Sequence, residues 1–283
     1  MQDQEGDVAD AEKETLTSVQ TSEIDDWKKY KDDDIMQQHS AIQAEEAVKI
    51  PFVGDKEPLS SLEAEYHLGS PILLKKIKVL SEQYTAIRRT RGDGNCFFRS
   101  FMFGYLEHIL ESQDQNEVRR IKANIEECKK TLQSLGYANS PLKTFLRHDE
   151  FLSRIRDPSI SDYVVMFFRF VTSGEIKKRS EFFEPFILGL TNASVEQFCK
   201  SAVEPMGEES DHVQIIALSD ALGVPIRVVY LDRSSCENNS INVNHHDFIP
   251  TSGEVGNSGV SKTTSPSITL LYRPGHYDML YPK

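Results

Sequence analysis

The chain has 283 residues, 39% hydrophobic and 27% charged, with a formal net charge of −12; it is long enough for a substantial core and has the composition of an ordinary globular protein. No apolar run approaches a membrane span, the acidic first ten residues lack the apolar stretch of a secretory signal, and no basic stripe points to nucleic acid. The four cysteines (Cys96, Cys128, Cys199, Cys236) form no C-x-x-C pair, which argues against zinc or a redox dithiol and for a reducing cytoplasmic or nuclear setting.

The acidity is concentrated at the start. Residues 1–50 hold fourteen Asp/Glu against five Lys/Arg, so −9 of the −12 belongs there. Residues 1–34 read as an acidic, disordered leader interrupted by Trp27 and Tyr30. From 34 to 48, Ile35, Met36, His39, Ile42 and Ala47 line one side of a modest helix that Ile50-Pro51 stops. Such an arm is too weak to stand alone and needs the body or a partner to order it. After a break at Gly54 to Pro58, two helices are predicted over Leu59–His67 and Ile72–Tyr84. A short strand at Thr85–Arg88 follows.

That strand leads into Arg91-Gly92-Asp93-Gly94-Asn95-Cys96-Phe97-Phe98-Arg99-Ser100. The glycines and the Asp-Gly step make a tight turn. Phe98, Phe101, Met102, Tyr105, Leu106 and Ile109 then recur at helical spacing. Cys96 therefore sits at a helix N-terminus, where unpaired N–H groups and the macrodipole favour a thiolate. Further along, Val118, Ile121, Ile125, Cys128, Leu132 and Leu135 predict a helix ended by Gly136, with Cys128 in the core. Ser140-Pro141 opens another helix. The next runs from Asp157 to Thr172 with Gly174 at its end. Ser194-Val195-Glu196-Gln197 has capping-box form and starts a helix carrying Cys199, also read as core. A last helix starts at Asp211-His212 and is closed by Gly223.

The period then changes. Pro225–Leu231 reads as a strand, residues 233–266 as a long, partly flexible loop, Ser267–Tyr272 and Tyr277–Tyr281 as strands joined by Arg273-Pro274-Gly275. His245-His246-Asp247, inside the loop, reads as an exposed polar run rather than a metal pair. The predicted class is α+β: a helical subdomain packed against a small, mainly antiparallel sheet.

A thiol nucleophile needs a base, and the base an orienting group. Gly275-His276-Tyr277-Asp278 offers both, because residues two apart on a strand share a face. His276 and Asp278 are expected side by side, with Tyr277 and Met279 opposite. Cysteine first and histidine far downstream is the chain order of a papain-like arrangement.

Asp93-Gly94-Asn95-Cys96-Phe97-Phe98-Arg99 resembles the nucleophile motif of the ovarian tumour (OTU) family of deubiquitinating cysteine proteases. Tyr272-Arg273-Pro274-Gly275-His276-Tyr277-Asp278 is similar to the histidine motif of its otubain branch. Ser161-Asp162-Tyr163-Val164-Val165, Val203-Glu204-Pro205-Met206 and Glu209-Ser210-Asp211-His212-Val213 resemble otubains as well. The resemblance covers residues 35–283 and not the leader; the 233–266 loop is expanded relative to the pattern. It implies a papain-like OTU fold and a cofactor-free isopeptidase acting at the ubiquitin C-terminus, with preference for the proteasome-targeting chain linkage. By the same resemblance Cys96 is nucleophile, His276 general base and Asp278 its orienting acid. Asp93 contributes a backbone N–H to the oxyanion hole, within a turn formed by Gly92, Asp93, Gly94 and Asn95. The expected partners are ubiquitin and polyubiquitin. The alternative is a non-catalytic role, blocking ubiquitin transfer by binding a ubiquitin-conjugating enzyme through the 34–48 arm.

Overall fold

Six strands form one sheet in the order β1-β2-β6-β5-β3-β4 in a computed structural model that describes residues 51–67, 69–137, 157–234, 242–251 and 266–283. The strands are β1 (Val53–Pro58), β2 (Tyr84–Thr90), β3 (Ile226–Tyr230), β4 (His245–Phe248), β5 (Ile268–Arg273) and β6 (His276–Pro282). All neighbours are antiparallel except β3 and β5, which run parallel. The helices are α1 (Ser60–Tyr66), α2 (Pro71–Gln83), α3 (Cys96–Ser112), α4 (Gln115–Ser134), α5 (Pro158–Lys178), α6 (Ser180–Thr191), α7 (Val195–Phe198) and α8 (His212–Leu222). A π-helical turn, Cys199–Val203, continues α7.

β3, β5 and β6 carry adjacent apolar residues, Val228-Val229, Leu270-Leu271 and Met279-Leu280, because both faces of the sheet are covered. Alternate residues divide between two cores. Val228, Leu270 and Met279 join the core built by Phe97, Phe98 and Phe101 of α3 with α4, α5 and α8. Val229, Leu271 and Leu280 join Leu62 of α1 and Leu73, Ile77 and Leu80 of α2. A third core, around Ile176, Phe183, Ile187, Phe198 and Val213, holds the helical side together. Cys128 and Cys199 are buried core residues. Burial pushes the Cys128 thiol up to about 12 and the Cys199 thiol up to about 11, so both stay protonated.

Several elements depart from the expectation. Val53–Pro58 is an edge strand rather than a break; its outward residues are charged, and edge strands tolerate such composition. α5 runs through Gly174 to Lys178. Gly174 marks helix contact and not helix termination: a Cβ there would stand 3.1 Å from Leu132 Cδ2 of α4. α6 was not anticipated, since Pro185 interrupts its pattern although the helix continues through it. Within the stretch 233–266, His245–Phe248 is a strand. β3 offers it a free edge, and Asp247 accepts two 2.7 Å hydrogen bonds from Arg227 across the pair. The leader, the 34–48 arm and the Ser140-Pro141 helix lie outside the described residues.

Among the described residues no helix is long and apolar enough to cross a membrane.

Candidate active site

The site forms where the start of α3 meets the start of β6. The turn after β2 reverses the chain, and Cys96 is the first residue of α3, only 3% exposed. Its neighbours Phe97 and Phe98 are fully buried and anchor the helix; Phe97 packs edge-on against Tyr277 of β6 with ring centroids 5.5 Å apart. Ser100 and Thr90 both donate to the Tyr277 carbonyl, at 3.1 and 2.6 Å, tying α3 and the end of β2 to β6. With Tyr277 facing α3, strand alternation turns His276 and Asp278 the other way.

His276 approaches Asp278 on one side, Nε2 to Oδ1 2.9 Å, and interacts with Cys96 from the other. Its Nδ1 edge faces the turn: a Cβ built on Gly92 would lie 3.5 Å from it. Asp278 is fully buried, and its oxygens also accept from the Thr90 N–H at 3.0 Å and from Arg273 at 2.6 Å. Burial disfavours the charged imidazole, but the hydrogen bonds to Asp278 and Cys96 outweigh it and raise His276 to about 9. Burial likewise opposes ionisation of Asp278. The hydrogen bond and charge of His276, with the Arg273 charge and the Thr90 N–H, still hold it below the usual carboxylate range.

Asp93 is not beside the imidazole in this network. Its carboxylate accepts from the Asn95 N–H at 3.1 Å and pairs with Arg99, a fully buried arginine that also holds Asp162 at 2.5 Å. Gly94 adopts φ +71°, and a Cβ there would meet the Gly207 carbonyl oxygen at 1.7 Å, so only glycine fits. Asn95 is buried; its Nδ2 donates to the Asp93 carbonyl at 3.3 Å and its Oδ1 accepts the Gly207 N–H at 3.0 Å.

Three arginines of this site, Arg99, Arg169 and Arg273, went unassigned in the sequence reading. The signal for two of them was present: Arg99 and Arg169 each sit inside an aromatic run, Phe98-Arg99-Ser100-Phe101 and Phe168-Arg169-Phe170. A charge there needs a buried partner. His212 opens α8 behind its N-cap Asp211, whose carboxylate it meets through Nδ1 at 2.8 Å, and reaches Tyr230 at 3.1 Å. Among the described residues no cluster of three or more His, Cys, Asp or Glu side chains is arranged to hold a metal.

A thiol beside an imidazole that a buried carboxylate holds is equipped for nucleophilic acyl transfer. The turn and helix start around Cys96 carry the N–H groups such chemistry uses for an oxyanion.

Comparison with known proteins agrees with this architecture. The family model of peptidase family C65, otubain, matches residues 45–151 and 145–282. The OVARIAN TUMOR DOMAIN-containing deubiquitinating enzyme 1 of Arabidopsis thaliana is 58% identical over 295 residues, covering 98% of this chain and 95% of its own. Ubiquitin thioesterase OTUB1 of Homo sapiens is 40% identical over 266 residues, covering 88% and 90%. A solved complex of h/ceOTUB1 with ubiquitin aldehyde and UBC13~Ub superposes with a TM-score of 0.74 at 35% identity, over 89% of this chain and 98% of that one. With its α+β architecture and its cysteine and histidine motifs in one site, the chain belongs to the otubain family of cysteine peptidases.

Proposed function

We propose that this chain is a deubiquitinase that hydrolyses the bond between the ubiquitin C-terminus and an amine. The observation that carries the reading is the Cys96–His276–Asp278 contact chain, with Nε2 of His276 2.9 Å from Asp278 and its other side on Cys96. The relatives named as ubiquitin thioesterases or deubiquitinating enzymes support ubiquitin as the substrate class. His276 takes the Cys96 proton, and the sulfur attacks the carbonyl of the isopeptide. The negative oxygen of the tetrahedral intermediate is met by N–H groups of the Asp93–Cys96 turn and helix start. Collapse expels the lysine amine, which takes its proton from the imidazolium, leaving a thioester on Cys96. His276 then assists water in hydrolysing it. Asp278 holds the imidazole and stabilises its cation throughout. The preferred chain linkage is the one that marks proteins for the proteasome.

The test is labelling with ubiquitin carrying a C-terminal vinyl sulfone. One adduct per chain is expected, on Cys96 by peptide mapping and absent in Cys96→Ala. Labelling elsewhere, or none, refutes the reading.

A second role is supported by a specific observation: solved relatives were captured with UBC13~Ub and UBCH5B~Ub. Binding to a charged ubiquitin-conjugating enzyme through the 34–48 arm is separable from catalysis. Cys96→Ala should still inhibit ubiquitin transfer, and deletion of residues 1–48 should abolish that inhibition; inhibition that survives the deletion excludes the arm.

A further inference from the structure

Arg169, in the middle of α5, is fully buried. Its five hydrogen bonds all end on neutral oxygens: Val203 O at 3.0 Å, Glu208 O at 2.6 Å, Gly94 O at 3.0 Å and Asn95 Oδ1 at 2.8 and 3.1 Å. Among the described residues no carboxylate bonds this buried guanidinium, and such a group is costly to keep, because burial disfavours the charged form. Burial does depress this one, to about 10, although the charges of Glu208, Asp93 and Cys96 act in the opposite sense. Such a group calls for a purpose beyond packing.

Its bonds define one. The guanidinium grips the Gly94 carbonyl and the Asn95 side chain, while Asn95 in turn grips the Asp93 carbonyl. A trans peptide is planar, so fixing a carbonyl fixes the N–H that follows it in the opposite direction. The two peptides that join Asp93, Gly94 and Asn95 are therefore both set through Arg169. The other end of the clamp, at Val203 and Glu208, roots the turn in the segment that also carries Gly207, against which Gly94 is seated.

We infer that Arg169 is a positioning residue for oxyanion stabilisation: the Asn95 N–H is spent on Asp93 Oδ1, and by holding the Asp93–Gly94–Asn95 peptides Arg169 keeps the Gly94 N–H and the flanking Asp93 and Cys96 N–H groups in place for the developing negative oxygen. This inference rests on the acyl-transfer reading of the site. Arg169 touches neither substrate nor sulfur; it acts through the turn. Its role differs from that of Asp278, which acts through the imidazole.

The test uses the full chain as wild type, Arg169→Gln and Arg169→Lys, with three readouts: turnover of ubiquitin bearing a C-terminal fluorogenic amide, affinity for ubiquitin aldehyde, and the rate of Cys96 alkylation by iodoacetamide. Turnover and aldehyde capture both place charge on the former carbonyl oxygen, whereas alkylation does not. Arg169→Gln should lose about 100-fold in kcat, the scale of a displaced oxyanion donor, with KM little changed. Aldehyde affinity should fall in parallel while the alkylation rate stays at the wild-type value. Arg169→Lys should recover little, because one ammonium cannot bridge four separate oxygens held in fork geometry; should the Gln variant not fold, the Lys variant carries the same three readouts. Full recovery in Arg169→Lys, a loss confined to KM, or equal losses in turnover and alkylation would each overturn the inference. A wild type inert toward the ubiquitin amide defeats the ubiquitin reading itself. An active wild type with an equally active Arg169→Gln defeats only the role of Arg169.

Discussion

Arg273 donates to one carboxylate oxygen of Asp278 at 2.6 Å while His276 occupies the other at 2.9 Å, so this carboxylate is held from both sides in a fully buried position. Arg273 is itself anchored to α1 through Glu65 at 2.9 Å, and the second oxygen of Glu65 accepts from Arg89 of β2 at 2.6 Å. The chain Arg89–Glu65–Arg273–Asp278–His276 thus carries rigidity from the α1 side of the sheet into the site.

Arg273→Met leaves the buried Asp278 charge with one of its two cationic partners gone and His276 alone on the other side. The expected cost is about 3 kcal/mol, the lower end of what breaking a buried ion pair takes. The direction with pH follows from the depressed Asp278. Its contribution to stability is present above the unfolded carboxylate value and lost as pH falls through the folded one. Without Arg273 that loss begins at a higher pH. Thermal melts of the two proteins at descending pH check this; parallel melting curves would show that the pair is energetically idle.

Asp278→Asn removes the charge that raises His276 and leaves at most a neutral acceptor in its place. In the wild type the imidazolium that protonates the leaving amine persists until pH approaches about 9, so kcat/KM should decline on the alkaline side near that pH. In Asp278→Asn the decline should move to lower pH and the maximum should drop by about 100-fold or more. Stopped-flow or steady-state rates on a fluorogenic ubiquitin amide between pH 6 and 10 (a span taken from roughly the ordinary His value upward) measure both. An alkaline limb that does not move would remove Asp278 from this role.

Asp93→Asn separates the two acids. The backbone of the turn keeps its N–H groups, and Arg99 keeps Asp162. Loss of one charge-assisted bond to Arg99 should lower stability by about 1.5–3 kcal/mol. The drop in kcat should be smaller than that of Asp278→Asn, with the alkaline limb unmoved. Comparing the pH profiles of the two variants decides; a shift of equal size in both would mean that Asp93 also acts on the histidine.

Gly94→Ala cannot be accommodated in place, because the added carbon would overlap the Gly207 carbonyl and φ is +71°. The turn must move by more than about 1 Å, a displacement that costs on the order of 100-fold in rate. The expected signature is loss of kcat with the β-sheet core still folded, read by kinetics alongside circular dichroism.

The placement of Cys96 at a helix start after a glycine turn, and of His276 beside Asp278 on one face of a strand, was legible in the sequence because each depends on local rules. Their supports were not. Arg169 reaches Asn95 from 74 positions away, and Arg99 and Arg273 meet Asp162 and Glu65 through topology rather than as neighbours in the chain. The alternation of Leu270 with Leu271 and of Met279 with Leu280 between two cores explains why β5 and β6 announced themselves. The edge strands β1 and β4 did not, since one-sided pairing tolerates the charged and polar residues that otherwise signal a loop. The separation of Asp93 from Asp278, expected from the family motif, has a physical form here: one acid is paired with Arg99, the other with His276 and Arg273.

The most direct measurement of the central claim is cleavage of a panel covering every diubiquitin linkage by wild type and by Cys96→Ala at equal concentration, with melting temperatures taken on the same samples. Wild type should cleave the proteasome-targeting linkage in preference to the others, and Cys96→Ala should cleave none while melting like the wild type. Cleavage that survives in Cys96→Ala, or a folded wild type that cleaves no linkage, would contradict it.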